Sequence, residues 1–472
     1  LSSLSTSHEP LQAFVRWLLV GWLLITLALM VGFAIARLVG GADAVAALMQ
    51  EGPLSLLPQT MLSAAVVWCG IAIAALWLLL TRADGRHALE VAGCLLLVVL
   101  HVNILRERTR YGDVSDYVRA AFDLAAGQPL WERYLYPPFL ATSLQPLLPL
   151  GNAGVQAALW LANIVALAIF YWLTAAVLRR YGFARGSAFA ITFLALVVNV
   201  PLLRTLAYVQ VNLHLANAVM AALLLAPRYP LFSGFMLSFA VHLKAAPAML
   251  VLAFIHPFRS AWWVGFTGGI VLLATLTIIP FGVQPFADFA ANAARIHDAN
   301  PISFRDSSVD SIIRSTAHLY GGEVPLLLIA IPKAFLILFA GWVAFQCVRR
   351  HAFVSPKQDA ALCLNALPAL LLIMLLASPI LWEHHPIFVL VPYLLLIPRL
   401  SSPGEWAVYT AAWAIQFLLP TFDLYPWSFG RLVSALAILA LMARLQEPIQ
   451  TAGFSVFALR LEELLRPLER IR

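Results

Sequence analysis

Residues 153–178 read AGVQAALWLANIVALAIFYWLTAAVL, 26 residues without a charge, and are followed by Arg179 and Arg180. A helix rises about 1.5 Å per residue, so this stretch is longer than the roughly 30 Å of hydrocarbon in a bilayer. Within lipid only helices and closed barrels satisfy their own backbone. The alternating segments of about 10 residues that mark barrel strands are absent here. The reading is a membrane-spanning helix. The pattern recurs along the chain, and further spans are expected at 14–38, 59–80, 88–105, 187–203, 208–226, 260–281, 324–348, 359–381, 386–399, 405–420 and 428–445. The expected fold is all-α, a polytopic membrane protein of about 12 transmembrane helices.

Composition agrees. The 472 residues are 62% hydrophobic and 11% charged, with a mean hydropathy of +0.87. Soluble domains have about 25% charged residues, so a soluble enzyme, a disordered chain and a free-standing nucleic-acid binder are excluded. The net charge is +7, and only Lys244, Lys333 and Lys357 are lysines. Cys69, Cys94, Cys347 and Cys363 lie scattered in apolar stretches with no CxxC and read as small buried hydrophobes. Residues 1–13 lack a basic leader region, so no cleavable signal peptide is expected there.

Basic residues orient the spans. The loops at 82–87, 179–186 and 349–358 and the C-terminal stretch are basic, whereas loop 39–58 carries Asp43 and Glu51 and neither Lys nor Arg. Placing the basic group inside puts both termini in the cytoplasm and loops 106–152 and 283–322 outside. That threading requires residues 231–256 to enter and return as a broken or re-entrant hairpin, bent near His242–Pro247. Irregular backbone at such depth needs surrounding protein or a watery cavity, so two half-helices around Lys244 and a cavity beside them are expected. Residues 1–450 read as one transmembrane domain. Residues 451–472 read as an interfacial amphipathic helix, because Ser455–Arg472 alternates Leu and Phe with Arg and Glu at helical spacing. The localisation expected is a bacterial inner membrane, multi-pass, with the active site on the periplasmic side.

The polar residues suggest chemistry at that outer face. Asp113 and Asp116 stand at a helix start in the first long loop, where Asp113 is either an N-cap or a group facing a cavity. An intramembrane charge usually faces a cavity and a partner, and Lys244 is the clearest case. Trp382-Glu383-His384-His385 lies between two spans; adjacent His residues lack a metal-binding spacing, so no metal ligand is assigned. Sugar transfer from a polyprenyl phosphate would suit this set. It needs one carboxylate to deprotonate the acceptor hydroxyl and cations on the departing phosphate. Asp113 can fill the first role, and Lys244, His384, His385 and Arg314 the second. A single base predicts inversion at the anomeric carbon.

The ordered elements also resemble a known family. Gly112-Asp113-x-x-x-Tyr117, Gly127-x-Pro129-Leu130 and Tyr136-Pro137-Pro138 resemble the opening of the GT-C glycosyltransferases of family GT87. Gln210-Val211-Asn212, Lys244-x-x-Pro247, Asn292, Ser308, Arg314 and Trp382-Glu383-His384-His385 follow in order over about residues 105–400. The resemblance implies a GT-C-like bundle with outer-face loop helices and an inverting transferase. The expected donor is a polyprenyl-phosphate sugar, mannose first and arabinofuranose second, and the acceptor a glycolipid or glycan hydroxyl. It implies Asp113 as the essential base, with Asp116 and Tyr117 as alternative base or support. Lys244, Arg314, His384, His385, Gln210, Asn212 and Tyr136 are implied as contacts to donor phosphate or sugar. Val209 stands where the family usually has Gly. No cofactor is implied and metal dependence stays open; the partners are membrane lipids and lipid-linked sugars, with no nucleic acid. The alternatives are a flippase or transporter of a lipid-linked sugar without chemistry, and a structural subunit of an envelope complex.

Overall fold

In the computed structural model every element among the described residues is helical. These residues are 113–197, 199–254, 260–296, 306–321, 324–351, 356–418 and 429–444. The spans expected at 14–38, 59–80 and 88–105 and the interfacial helix at 451–472 lie outside them.

The first long loop folds as α1 (Val114–Ala125), α2 (Pro138–Ser143) and a 3-10 turn, Gln145–Leu150, leading into α3 (Gly151–Arg180). Two local signals shape it. Gly127, at φ +64°, turns the chain out of α1, with the Gln128 N–H donating back to the Asp123 carbonyl at 2.8 Å. Pro137 is extended, and Pro138 then starts α2 at a position where a missing N–H costs nothing.

Helices α4 (Arg185–Val197), α5 (Val200–Ala207), α6 (Asn212–Leu225) and α7 (Pro230–Leu243) follow. The span expected at 187–203 is broken here: the Asn199 side chain accepts from the Leu202 N–H at 2.9 Å and caps a new helix, α5. The stretch 208–226 is also interrupted, because Tyr208–Val211 form a turn in which Val209 has φ +52°. The remaining 14-residue helix α6 is about 21 Å long, short of a full crossing.

Helix α7 ends at Lys244, which is extended (φ −157°, ψ 133°), and the chain resumes as a 3-10 segment, Ala246–Phe254. The backbone thus breaks at Lys244, as expected. Beyond it lie α8 (Ser260–Phe281), α9 (Gln284–Ala294), α10 (Val309–Leu319), α11 (Leu326–His351) and α12 (Pro356–Ala377). Three prolines divide the stretch at 386–399 into a 3-10 turn, His385–Val389, then α13 (Leu390–Leu396) and a second turn, Ile397–Arg399. Helix α14 (Pro403–Trp413) opens on a capping box of Ser402 and Glu405, and α15 (Gly430–Arg444) ends the described chain.

By length and composition two described helical stretches can cross a membrane, Gln145–Arg180 and Ser260–Phe281. A third is added if the pair Arg185–Leu196 and Val200–Ala207, bent by 65°, counts as one. Shorter apolar helical stretches are Asn212–Leu225, Pro230–Leu243 and His385–Arg399, with Leu327–Val343 inside α11 and Ala366–Ala377 inside α12.

Helices α7 and α8 pack back to back through small residues. A Cβ on Gly234 would overlap the Trp262 carbonyl, and one on Gly265 would overlap the Leu231 carbonyl. Ser238, four residues after Gly234, meets Gly269, four after Gly265. Small residues at this spacing let helix backbones approach where lipid supplies no hydrophobic drive. The main core joins α3, α4, α6, α7, α12 and α13. A second core, built on Val114, Tyr117, Leu124, Tyr134, Tyr136, Val209, Val211 and Leu243, seats α1 against the turn before α6 and the end of α7. That second core brings the polar residues together.

Candidate active site

Asp113 occupies the N-cap position of α1, but its side chain makes no capping hydrogen bond. The carboxylate turns instead toward the Gln210 side-chain amide, which donates to Oδ2. Two phenols orient that amide. Tyr117 donates to Gln210 Oε1 at 2.7 Å and Tyr136 at 3.4 Å, which leaves the amide nitrogen for Asp113. The two rings meet edge to face with centroids 4.8 Å apart. Burial pushes both phenols well above the usual tyrosine range, so both remain donors.

Burial also raises the Asp113 carboxyl to about 6; the Asp116 charge adds to the rise and the Lys244 charge opposes it. Asp116 lies one turn on, outside this network, and interacts with Arg133 and Arg119. Of the two carboxylates, the structure puts Asp113 in the enclosed site.

The backbone needed to present Gln210 is unusual. Val209 is 1% exposed and left-handed, a conformation that a β-branched residue rarely adopts. Its side chain belongs to the second core, so apolar burial offsets backbone strain.

Lys244 stands across Tyr136, with Nζ 5.9 Å from the ring centroid. Nζ lies 2.8 Å from His385 Nε2. His385 Nδ1 faces two backbone groups, the Trp382 N–H, which donates to it at 3.2 Å, and the Ile380 carbonyl at 3.1 Å. The His384 carbonyl is held by Thr205 Oγ1 and by Asn212 Nδ2, both at 3.3 Å. Glu383 pairs with Arg204 at 2.5 Å and with Arg431 at 3.4 Å, tying the loop to α5 and α15. An apolar cleft walled by Leu215, Pro247, Met374, Leu375 and Phe388 opens on Lys244 and His385, beside the break where a cavity was expected.

Asp113, Tyr117, Tyr136, Gln210, Lys244 and His385 therefore form one continuous constellation, and Asn212 and His384 adjoin it through the backbone. Arg314 rides half-buried on α10, behind that helix's Ser308 cap. His242 is turned away, 3.1 Å from the Ile270 carbonyl on α8. Among the described residues, no three His, Cys, Asp or Glu side chains cluster as a metal site.

Several residues that shape the site were not assigned to it by the sequence reading, which noted Asn292 only within the family resemblance. Asp288 accepts from the Leu130 N–H at 3.0 Å, and Asn292 donates to the Trp131 and Tyr134 carbonyls at 2.9 and 3.2 Å. Together they fasten the strap that carries Tyr136 to α9. Buried Arg431 and Asp306 also act on the Trp382–His385 loop. The one local sign was Asp306-Ser307-Ser308 before an amphipathic stretch, which is a helix-capping pattern.

The profile of glycosyltransferase family 87 matches residues 134–379, just over half of the chain. A relative from Mycobacterium tuberculosis (strain CDC 1551 / Oshkosh) is 29% identical over 320 residues, 63% of this chain and 68% of the relative. It is described as a polyprenol-phosphate-mannose-dependent alpha-(1-2)-phosphatidylinositol pentamannoside mannosyltransferase. No solved structure gives a significant match.

Proposed function

The chain belongs to glycosyltransferase family 87, and from that premise we propose that it transfers a sugar, mannose first, from a polyprenyl phosphate to a hydroxyl of a lipid-linked glycan at the outer face of the membrane. The observation that carries this reading is the Asp113–Gln210–Tyr136–Lys244–His385 constellation. It sets one enclosed carboxylate across a tyrosine from a buried cation.

Asp113 takes the proton of the acceptor hydroxyl as that oxygen bonds to the anomeric carbon. The bond from that carbon to the phosphate oxygen breaks on the opposite side, which inverts the centre. Negative charge grows on the leaving phosphate, and Lys244 Nζ meets it there, helped by the His384–His385 loop. Gln210 and the two phenols hold the carboxylate in line. The cleft of Leu215, Pro247 and Phe388 takes the first isoprene units of the donor. The mannose and the polyprenyl-phosphate donor are inferred from the relative's description. A carboxylate held by an amide that two phenols orient has no evident use in a flippase, which favours chemistry over transport.

The test is transfer in liposomes, with a panel of labelled polyprenyl-phosphate sugars and extracted lipids as acceptors. Wild type is run beside Asp113→Asn and Asp116→Asn. The expected result is transfer from one donor, lost in Asp113→Asn and kept in Asp116→Asn. No transfer from any donor by folded protein would overturn the reading.

A further inference from the structure

Asp306 is 6% exposed and lies just before α10, far in sequence from the residues assigned above. Its Oδ1 accepts two backbone N–H groups. One is from Ser308 at 2.9 Å, which shapes the turn into α10; the other is from Leu381 at 2.7 Å, across to the histidine loop. The Ser307 N–H completes the junction by donating to the Leu381 carbonyl at 2.9 Å.

The Leu381 N–H belongs to the same peptide unit as the Ile380 carbonyl. A peptide unit is planar and rigid, so fixing its N–H fixes the direction of its C=O. That carbonyl accepts from Ser378 Oγ at 2.6 Å and faces His385 Nδ1 at 3.1 Å, the nitrogen to which the Trp382 N–H donates at 3.2 Å. His385 Nε2 in turn faces Lys244 Nζ at 2.8 Å. The path from Asp306 to Lys244 therefore runs through one peptide plane and one imidazole. The hydrogen bond made by one ring nitrogen sets the state of the other.

We propose that Asp306 is a positioning residue: by holding the Ile380–Leu381 peptide it fixes the carbonyl that His385 Nδ1 faces, orients the imidazole, and so aims Lys244. It touches no substrate. Its use in sugar transfer rests on the function proposed above; its action on His385 does not.

Two substitutions separate its tasks. Asp306→Asn keeps Oδ1 as an acceptor for both N–H groups. Asp306→Ser keeps an acceptor for the local turn at Ser308, but its side chain is too short to reach Leu381. Transfer kinetics are measured for both, together with the ring 15N spectrum of histidine-labelled protein, in which His385 is assigned by its loss in His385→Ala. The expected result is that Asp306→Asn stays within about threefold of wild type and keeps the wild-type His385 signal. Asp306→Ser is expected to lose about tenfold in kcat/KM for the donor, the scale of one well-placed hydrogen bond. Its acceptor KM is unchanged and its His385 signal becomes mixed. Wild-type turnover and an unchanged His385 signal in Asp306→Ser overturn the proposal. So does an inactive Asp306→Asn, because that result would require the charge itself. If wild type transfers no sugar, the proposed function fails, and the 15N comparison still decides the role of Asp306.

Discussion

The sharpest consequence of the site is its pH dependence. Burial holds the Asp113 carboxyl at about 6, whereas a solvated aspartate titrates near 4. A base works only when ionised. With a pKa of about 6, roughly a tenth of the enzyme is ionised at pH 5 and roughly nine tenths at pH 7. Turnover should therefore fall about tenfold from pH 7 to pH 5, on a limb of unit slope. With an unperturbed aspartate it would hardly change over that window. The sign follows from the cause: burial disfavours the charged form, so activity is lost as pH falls through the raised value. Asp116→Asn removes a charge that contributes to the rise, so it should move the limb to lower pH. Asp113→Asn should cost about 10²–10⁴ in kcat, the range for a lost general base. The assay is initial-rate transfer at saturating donor between pH 4.5 and 8, in a constant-ionic-strength buffer series. A limb near pH 4, or an Asp116→Asn limb moved upward, would refute the assignment of the buried carboxylate as base.

Three further outcomes are expected. Lys244→Met removes the cation facing the leaving phosphate and should lower kcat/KM for the donor by about 10- to 100-fold, the scale of a charge-assisted hydrogen bond; an unchanged donor kcat/KM in steady-state transfer would contradict its role. At Val209 the usual order of Ala and Gly should reverse. Val209→Ala empties the same buried space as Val209→Gly yet keeps a left-handed penalty of about 1–2 kcal/mol, so thermal unfolding in detergent should find the glycine variant the more stable of the two. Gly234→Ala should cost about 1–3 kcal/mol, because the new methyl meets the Trp262 carbonyl and forces α7 from α8; an equal melting midpoint would mean that the two helices are not in that contact.

The residue pattern made much of the site legible. The two long loops carry helices, α1 and α2 in one and α9 and α10 in the other. The break at Lys244 is legible because a charge followed by Pro247 inside an apolar run fits no straight span. Asp113, Tyr117, Tyr136, Gln210, Lys244 and His385 are polar groups in apolar or loop surroundings, and the structure gathers them. The breaks within 187–203 and 208–226 were not legible, because hydropathy measures composition and not the Asn199 cap or the left-handed turn at Val209. Asp288, Asp306 and Arg431 escaped for another reason: their partners are backbone groups or loops 48 to 158 residues away.

The sequence by itself determined that the chain is an all-helical membrane protein, where its apolar helices run and which residue types are available for chemistry, since period and hydropathy are local properties. Only the tertiary structure decided that Asp113, and not Asp116, turns inward, which groups face the two nitrogens of His385, and which carboxylate holds the loop that aims Lys244. Those outcomes depend on which groups are buried beside one another. A carboxylate's environment and a histidine's tautomer are set by neighbours that only folding supplies.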